Sequence, residues 1–120
     1  MSVRRIVPDL HATGDPAASR ALYVDVLGLE VAMDLGWIVT YADPAAPGRT
    51  QLSVMRDDAS APVTPDVSIE VDDVDAAHAA AVERGFEILH PLTDEPWGVR
   101  RFFVRDPATG AVLNVLTHRR

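Results

Sequence analysis

The stretch VSIEVDDVDAAHAAAVERG, residues 67–85, decides the fold because it reads as one strand that runs directly into one helix. From Val67 to Val71, apolar side chains at every second position alternate with Ser68 and Glu70. This period of two is typical of a strand covered on one face only. The segment before Asp73 is therefore predicted to be a half-buried strand.

The helix that follows is marked at both ends. Asp73 precedes the helical pattern and can accept hydrogen bonds from the free N–H groups of the first turn. Gly85 ends the pattern with a residue that adopts the left-handed conformation without strain. The apolar stripe between these two markers consists of Val74, Ala77, Ala81 and Val82.

The first half of the chain repeats this plan. Asp15 and Pro16 predict a helix start, and Gly28 predicts its end. The apolar stripe predicted for this helix is Ala18, Leu22 and Val26, at four-residue spacing. Two amphipathic helices of about three turns are therefore expected.

Strand patterns complete two copies of a β-α-β-β-β unit. They cover residues 6–10, 29–33, 37–41 and 51–55 in the first half and residues 67–71, 87–92, 101–104 and 112–116 in the second. An Asp-Pro turn ending in Gly precedes the last strand of each copy. We predict an α+β protein with modules at about 4–57 and 66–118 and a linker at 57–65. Since a module of this size has a marginal core alone, residues 1–120 are expected to form a single domain.

Composition narrows the functional classes. The 120 residues carry a formal net charge of -7, all eleven basic residues are Arg, and there is no Cys. An acidic surface does not attract nucleic acid or an anionic membrane. Without Cys there is no disulfide, thiolate metal site or thiol nucleophile. No apolar run reaches the roughly 20 residues of a membrane span, so we expect a cytoplasmic protein.

The ordered set of motifs resembles the vicinal oxygen chelate superfamily, which includes glyoxalases, bleomycin-resistance proteins and ring-cleaving dioxygenases. The residues that carry this resemblance are Leu22-Tyr23 with residues 26–29, residues 71–77, and residues 103–107 with Gly110. Residues 94–103, DEPWGVRRFF, are similar to a narrower group close to the bleomycin-resistance branch. The resemblance implies that both halves curl to enclose a cup. Membership alone does not fix an activity.

In metal-dependent members, ligands come from the first and fifth strands and from the last strand of each half. Here the resemblance places Pro8, Asp66 and Asn114 at three of these positions, with Gln51 and Ser53 on the remaining strand. Proline has no donor, and amides and hydroxyls hold transition metals poorly. The four His residues lie off the expected ligand positions or at a chain end. No metal and no other cofactor is therefore predicted.

Alternation along the strands predicts which side chains face the cup. They are Trp37, Val39 and Tyr41, then Gln51, Ser53 and Met55, then Asn114 and Leu116, with Glu70 on the fifth strand. Aromatic walls with a few amides suit a small-molecule pocket. The alternatives stay open: Tyr41 packs in the core, Trp37 covers a sheet edge, and Glu70 is solvated.

Trp97 stands between Pro96 and Gly98 in a turn, and it is expected either to cap the cup or to pack at a subunit interface. Arg100 and Arg101 alternate in direction, so one of them is predicted to face the cup, and we select Arg101 as a ligand contact. The alternative for this Arg is a solvated pair with a neighbouring acid.

Two functions from different classes fit these observations. The first is a metal-free protein that binds or sequesters a small molecule, aromatic or antibiotic-like. The second is a metal-dependent enzyme of the glyoxalase or dioxygenase type, which needs a metal site that the sequence does not show. The open sheet edges predict a homodimer, and the resemblance implies the same, because members of this superfamily commonly form two-fold dimers.

Overall fold

Eight strands and two helical regions form within residues 1–48, 50–57 and 60–119, which the computed structural model describes. Residues 58 and 59 of the predicted linker lie outside this description. The strands are β1 (Val3–His11), β2 (Glu30–Asp34), β3 (Ile38–Ala42), β4 (Gln51–Met55), β5 (Val67–Val71), β6 (Ile88–Glu95), β7 (Val99–Arg105) and β8 (Val112–His118). The protein is thus α+β, as predicted, and the order of elements repeats.

All eight strands belong to one sheet, in the order β2-β3-β4-β1-β5-β8-β7-β6. The two halves meet at its centre, where β1 runs antiparallel to β5 and Ile6 pairs with Ile69. In each half the first strand also pairs in parallel with the last, β1 with β4 and β5 with β8. The sheet therefore places the first strands of the two halves, β1 and β5, side by side at its centre.

Helix α1 (Val74–Glu83) has the predicted ends. The Asp73 side chain accepts a hydrogen bond of 3.0 Å from the N–H of Ala76, and Gly85 has a φ of +77°. Val74 is buried against the sheet, whereas Val82, predicted to share its stripe, is exposed. The core beneath α1 consists of Val71, Val74, Phe102 and Val115, with Ile69, Ala77, Ala81, Ile88, Leu92 and Val104 packed around them.

The first helical region differs from the predicted amphipathic α-helix. It consists of a 3₁₀ turn (Pro16–Ser19) followed by a π-helical segment (Ala21–Val26), in which the N–H of Leu27 bonds to the carbonyl of Leu22. These i to i+5 bonds widen the turn, so a four-residue stripe no longer stays on one face. The predicted stripe is therefore wrong, since Ala18, Leu22 and Val26 are exposed. The inward residues are Pro16, Tyr23 and Val24.

The helical regions pack on the strands to either side of β1: the first on β2, β3 and β4, and α1 on β6, β7 and β8. Side chains from both halves line a cavity in the sheet, with contributions from β1, β3, β4, β5, β7 and β8. The sheet thus curls around a cup, as the resemblance implied. No helix within the described residues is long and apolar enough to cross a lipid bilayer.

Candidate ligand-binding site

The cup contains a cavity of about 160 Å³. Its apolar walls come from Val7, Met33, Leu35, Ile38, Met55, Pro65, Val99 and Leu116, with Trp37 and Trp97. The other half of the lining residues are polar or charged: Arg5, Asp9, Thr40, Gln51, Ser53, Ser68, Glu70, Arg101, Asn114 and His118. Apolar walls combined with placed polar groups are typical of small-molecule sites.

Seven of the eight predicted site residues line this cavity, and their role as ligand contacts stays a prediction. They are Trp37, Gln51, Ser53, Glu70, Trp97, Arg101 and Asn114. Arg101 is the member of its pair that faces inward, because Arg100 is bound to Asp75 and Asp94 on the outside. The eighth residue, Tyr41, lies elsewhere.

Tyr41 faces the helical side of the sheet and is fully buried there, so its placement in the cup was wrong. Its ring packs against that of Tyr23, with 4.9 Å between ring centroids. Strand pairing explains the error: Thr40 pairs with Ser53, which faces the cup, and Tyr41 pairs with Leu52. Paired residues share a face, so Thr40 is the cup residue. Val39, also predicted for the cup, belongs to the same outer core.

Burial also determines the chemistry of Tyr41. Its hydroxyl has no hydrogen-bond partner in the described part of the chain. Loss of solvation raises the pKa of Tyr41 above its usual value, because the charged phenolate would be the less stable form there. Tyr41 is therefore a packing residue of the first half.

Trp97 forms one wall of the cup together with Arg101. The Arg101 guanidinium lies 5.1 Å from the Trp97 ring centroid and 4.8 Å from that of Phe103. Its Nη2 also lies 3.4 Å from the Glu95 carboxylate, and Glu95 in turn contacts His90 at 3.3 Å. Arg101, Glu95 and His90 are all buried. The cation is thus held between two rings and a carboxylate, which fixes the position of the Trp97 side chain.

A second polar group connects the central strands β4, β1 and β5. Arg5 Nη1 donates to Gln51 Oε1 at 2.8 Å, and Arg5 Nε lies 2.9 Å from Glu70 Oε1. The other Glu70 oxygen contacts His118 Nδ1. Glu70 is therefore an ion-pair residue that lines the cup, and its role as a ligand contact stays a prediction.

One hydroxyl pair and one chain of three hydrogen-bonded side chains form the floor of the cup. Thr40 and Ser53 share a hydrogen bond of 2.8 Å between their hydroxyls. Ser68 donates to Asp9 Oδ2 at 2.6 Å and accepts from Asn114 Nδ2 at 3.0 Å. Sequence reasoning did not select Asp9, Ser68 or Thr40 as site residues. Ser68 and Glu70 both alternate with apolar residues along β5, so the sequence pattern already indicated that they share a face. The direction of the Asp9 side chain, by contrast, depends on the pairing of Asp9 with Ser53 in β4.

The two residues that the resemblance suggested as metal ligands on β1 and β5, Pro8 and Asp66, do not line the cavity. Pro8 is exposed on the outer face of β1, and Asp9 faces the cup instead. Asp66 precedes β5, where its side chain accepts from the Val112 N–H at 2.8 Å and lies 3.4 Å from His11. Asp66 is not among the residues that line the cavity.

The donor atoms of the floor do not fit a resident transition metal. They are one carboxylate, one amide and several hydroxyls, and such groups hold these metals weakly. Among the described residues, no group of three or more His, Cys, Asp or Glu side chains is placed to share a metal ion.

Residues 6–115 match the model of the Glyoxalase/Bleomycin resistance protein/Dioxygenase superfamily. The chain belongs to this superfamily. The match spans both halves, so it includes the strands that line the cup. No curated protein matches the chain at the significance required of a relative.

Solved structures of similar fold extend over almost the whole chain. A glyoxalase/bleomycin resistance protein/dioxygenase superfamily member from Vibrio splendidus 12B01 is 20% identical, with a TM-score of 0.72, covering 97% of this chain and 99% of that one. Methylmalonyl-CoA epimerase from Mycobacterium tuberculosis is 14% identical, with a TM-score of 0.68, covering 98% of this chain and 88% of that one. At these identities the likeness shows a shared fold alone.

Proposed function

We propose that this superfamily member is a binding protein that holds a small, ring-containing molecule in its cup without a resident metal. The observation that carries the proposal is the Trp97 wall, where a buried Arg101 fixes an indole ring at the edge of an apolar cavity. An aromatic side chain held in place loses little conformational freedom when a ligand stacks on it. Trp97 is still 44% exposed, so a ligand can bury much of its ring.

The cavity volume limits what the cup encloses. An engineered protein cavity of about 150 Å³ binds benzene, and the cup offers about 160 Å³. A single ring with small substituents therefore fits inside. An antibiotic-sized ligand would place one ring in the cup and leave its remainder outside.

The ion pairs that line the cup support binding of an uncharged molecule. The Arg5 guanidinium forms an ion pair with the Glu70 carboxylate, with 2.9 Å between Nε and Oε1. The Arg101 guanidinium forms one with the Glu95 carboxylate, with 3.4 Å between Nη2 and Oε2. A charged ligand would have to compete with these pairs. An uncharged ring requires no such rearrangement, since it displaces only water from the apolar lining.

The proposal includes a homodimer formed through the outer face. Val3, Ile6 and Leu10 on the outer side of β1 are 53%, 56% and 43% exposed, in the gap between the two helical regions. Contiguous exposed apolar surface marks interaction sites in soluble proteins. Light scattering should therefore give about twice the 13.0 kDa chain mass, and Ile6→Glu should give the single mass. A wild-type monomer at micromolar concentration would contradict this part of the proposal.

The binding proposal is tested with toluene as a single-ring probe. Added toluene should change Trp fluorescence saturably and raise the unfolding temperature, since a molecule that binds only the native state stabilises it. Trp97→Ala should weaken binding by about 1–3 kcal/mol, the range of an aromatic anchor, while folding is retained. Arg84→Ala, on the outer face, is the control and should bind as wild type.

Two outcomes would contradict the proposal. One is the absence of a saturable change with single-ring probes. The other is unchanged toluene binding by Trp97→Ala together with dissociation of the dimer, which would make Trp97 an interface residue.

A further inference from the structure

A chain of three side chains crosses the floor of the cup from β1 through β5 to β8. The hydroxyl of Ser68 lies 2.6 Å from Asp9 Oδ2, and the amide nitrogen of Asn114 lies 3.0 Å from Ser68 Oγ. Asp9 is 5% exposed and Asn114 is 8% exposed. Both ends of this hydrogen-bonded chain are therefore shielded from water. In such surroundings each hydrogen bond has a defined donor and a defined acceptor.

The direction of each hydrogen bond follows from the chemistry of the first residue. The Asp9 carboxylate oxygen accepts from the Ser68 hydroxyl, so the single proton of that hydroxyl is directed to Asp9. The Ser68 oxygen then has only acceptor capacity toward Asn114. Asn114 must present its NH₂ group to Ser68, and its Oδ1 atom is turned away. Asp9 thus fixes the orientation of an amide that it does not touch.

The consequence is an acceptor without a donor at the cup floor. Asn114 lines the cavity, and its Oδ1 is buried with no hydrogen-bond partner among the described residues. A buried carbonyl oxygen without a donor is costly in a folded protein. Because Oδ1 is itself shielded from solvent, the Asn114 side chain would have to turn slightly toward the cavity for the donor group of a bound molecule to supply the missing hydrogen bond.

We propose that the cup floor selects ligands that carry an N–H or O–H donor and that Asp9 and Ser68 are positioning residues for this selection. This inference rests on the proposed function, and it names the class of ligand: a neutral single-ring molecule with a donor at the end that enters first. Molecules of the same shape that carry only an acceptor meet Asn114 Oδ1 with like polarity and bind more weakly.

Pyrrole and furan test the selection because they are five-membered rings of nearly equal size. Pyrrole offers an N–H donor, whereas furan offers no donor. Each is titrated into the full-length protein, and the dissociation constant is taken from shifts of the Trp indole N–H signals in NMR spectra. Wild type should bind pyrrole about 5- to 10-fold more tightly than furan, the value of one satisfied hydrogen bond.

Variants separate the positioning roles from simple loss of contact. Ser68→Ala removes the hydroxyl that orients the Asn114 amide, so the pyrrole-to-furan ratio should fall to near 1 while both probes still bind. Asp9→Asn can bond to Ser68 either as acceptor or as donor, so it no longer imposes one direction and should lower the ratio. Ser68→Thr keeps the hydroxyl and should restore the wild-type ratio. Asp72→Asn is the matched control, since Asp72 also accepts from a serine hydroxyl, that of Ser2 at 2.9 Å, but lies outside the cup.

The outcomes distinguish this inference from the binding proposal beneath it. If wild type binds both probes with equal affinity, the selection is wrong although the cup is a binding site. A ratio that stays at the wild-type value in both Asp9→Asn and Ser68→Ala would remove the positioning roles. If neither pyrrole, furan nor toluene shifts the indole signals, the proposed function itself fails. Thermal unfolding verifies that each variant folds, and Ser68→Ala alone decides if Asp9→Asn does not.

Discussion

The two halves of the chain bury one large aromatic residue at corresponding places but surround it differently. In the first half Tyr41 packs on Tyr23 of the irregular helical region, and in the second half Phe102 packs on His78 of α1, with 5.0 Å between ring centroids. Phe102 has no polar atom, whereas the Tyr41 hydroxyl has no partner in the described part of the chain. Similar strand plans therefore support a regular helix in one half and a 3₁₀ and π-helical region in the other.

This difference indicates that the second half, which forms one wall of the cup, is more tightly packed than the first. Its core under α1 is continuous with the strand that carries Arg101, and the Glu95 and His90 side chains are buried beside that residue. The first half leaves Leu22, Val26 and Leu27 exposed on its helical region. We therefore expect substitutions in the second half to change stability more.

The largest effect is expected from Phe102→Ala. Removal of this fully buried ring should lower the free energy of unfolding by about 3–5 kcal/mol, because the cavity left behind cannot collapse completely. Denaturant unfolding measures the change. A decrease in the free energy of unfolding of less than about 1 kcal/mol would contradict the tighter packing of the second half.

A slightly smaller loss is expected from Glu95→Ala. It removes a buried carboxylate that pairs with Arg101 and contacts His90, and breaking a buried pair costs about 3 kcal/mol. Glu87→Ala is the matched control, because Glu87 pairs with Arg105 at 3.3 Å on the surface and should change stability by less than about 0.5 kcal/mol. Equal effects of the two substitutions would contradict the role given to the buried cluster.

Tyr41→Phe in the first half should have the opposite sign. It keeps the ring that packs on Tyr23 and removes a buried hydroxyl without a partner, so the unfolding free energy should rise by up to about 1 kcal/mol. Denaturant unfolding at constant pH measures it. A clear loss of stability would mean that the hydroxyl makes a hydrogen bond that this account lacks.

The smallest effect concerns the surface of the second half and depends on pH. Hydrogen bonds from Arg100 lower the pKa of Asp75 and of Asp94, at 2.9 and 3.0 Å. A lowered carboxyl pKa stabilises the fold above the unfolded-state value, and this contribution is lost as pH falls through the folded-state value. Arg100→Ala should therefore reduce stability near neutral pH and match wild type in acid. NMR titration should show both carboxyl pKa values higher in the variant, and unchanged values would contradict the pairing.

Much of the fold could be predicted because it depends on local signals. Asp15 and Asp73 accept hydrogen bonds at the helix starts, and Gly28, Gly85 and Gly110 have positive φ, as their places in the pattern predicted. These residues act within a few positions along the chain. Local chemistry therefore determined the order of elements.

The facing of side chains was harder to predict because it depends on distant partners. Tyr41 was assigned to the cup by alternation along its strand, and the resemblance placed Pro8 at a ligand position, but strand pairing with β4 turns Thr40 and Asp9 inward instead. A shift of one residue exchanges the two faces of a strand. The first helical stripe failed for a similar reason, since bonding of Leu27 to Leu22 changes the angular repeat.

The claim that the cup binds a single-ring molecule is tested most directly by the indole N–H signals of Trp37 and Trp97, because both rings line the cup. During titration with toluene in NMR experiments, both signals should shift along the same saturation curve, with one dissociation constant. The aromatic ring of the probe shifts nuclei only at close range, so joint saturation would place it between the two walls. Saturable binding that leaves both indole signals unmoved would contradict the account.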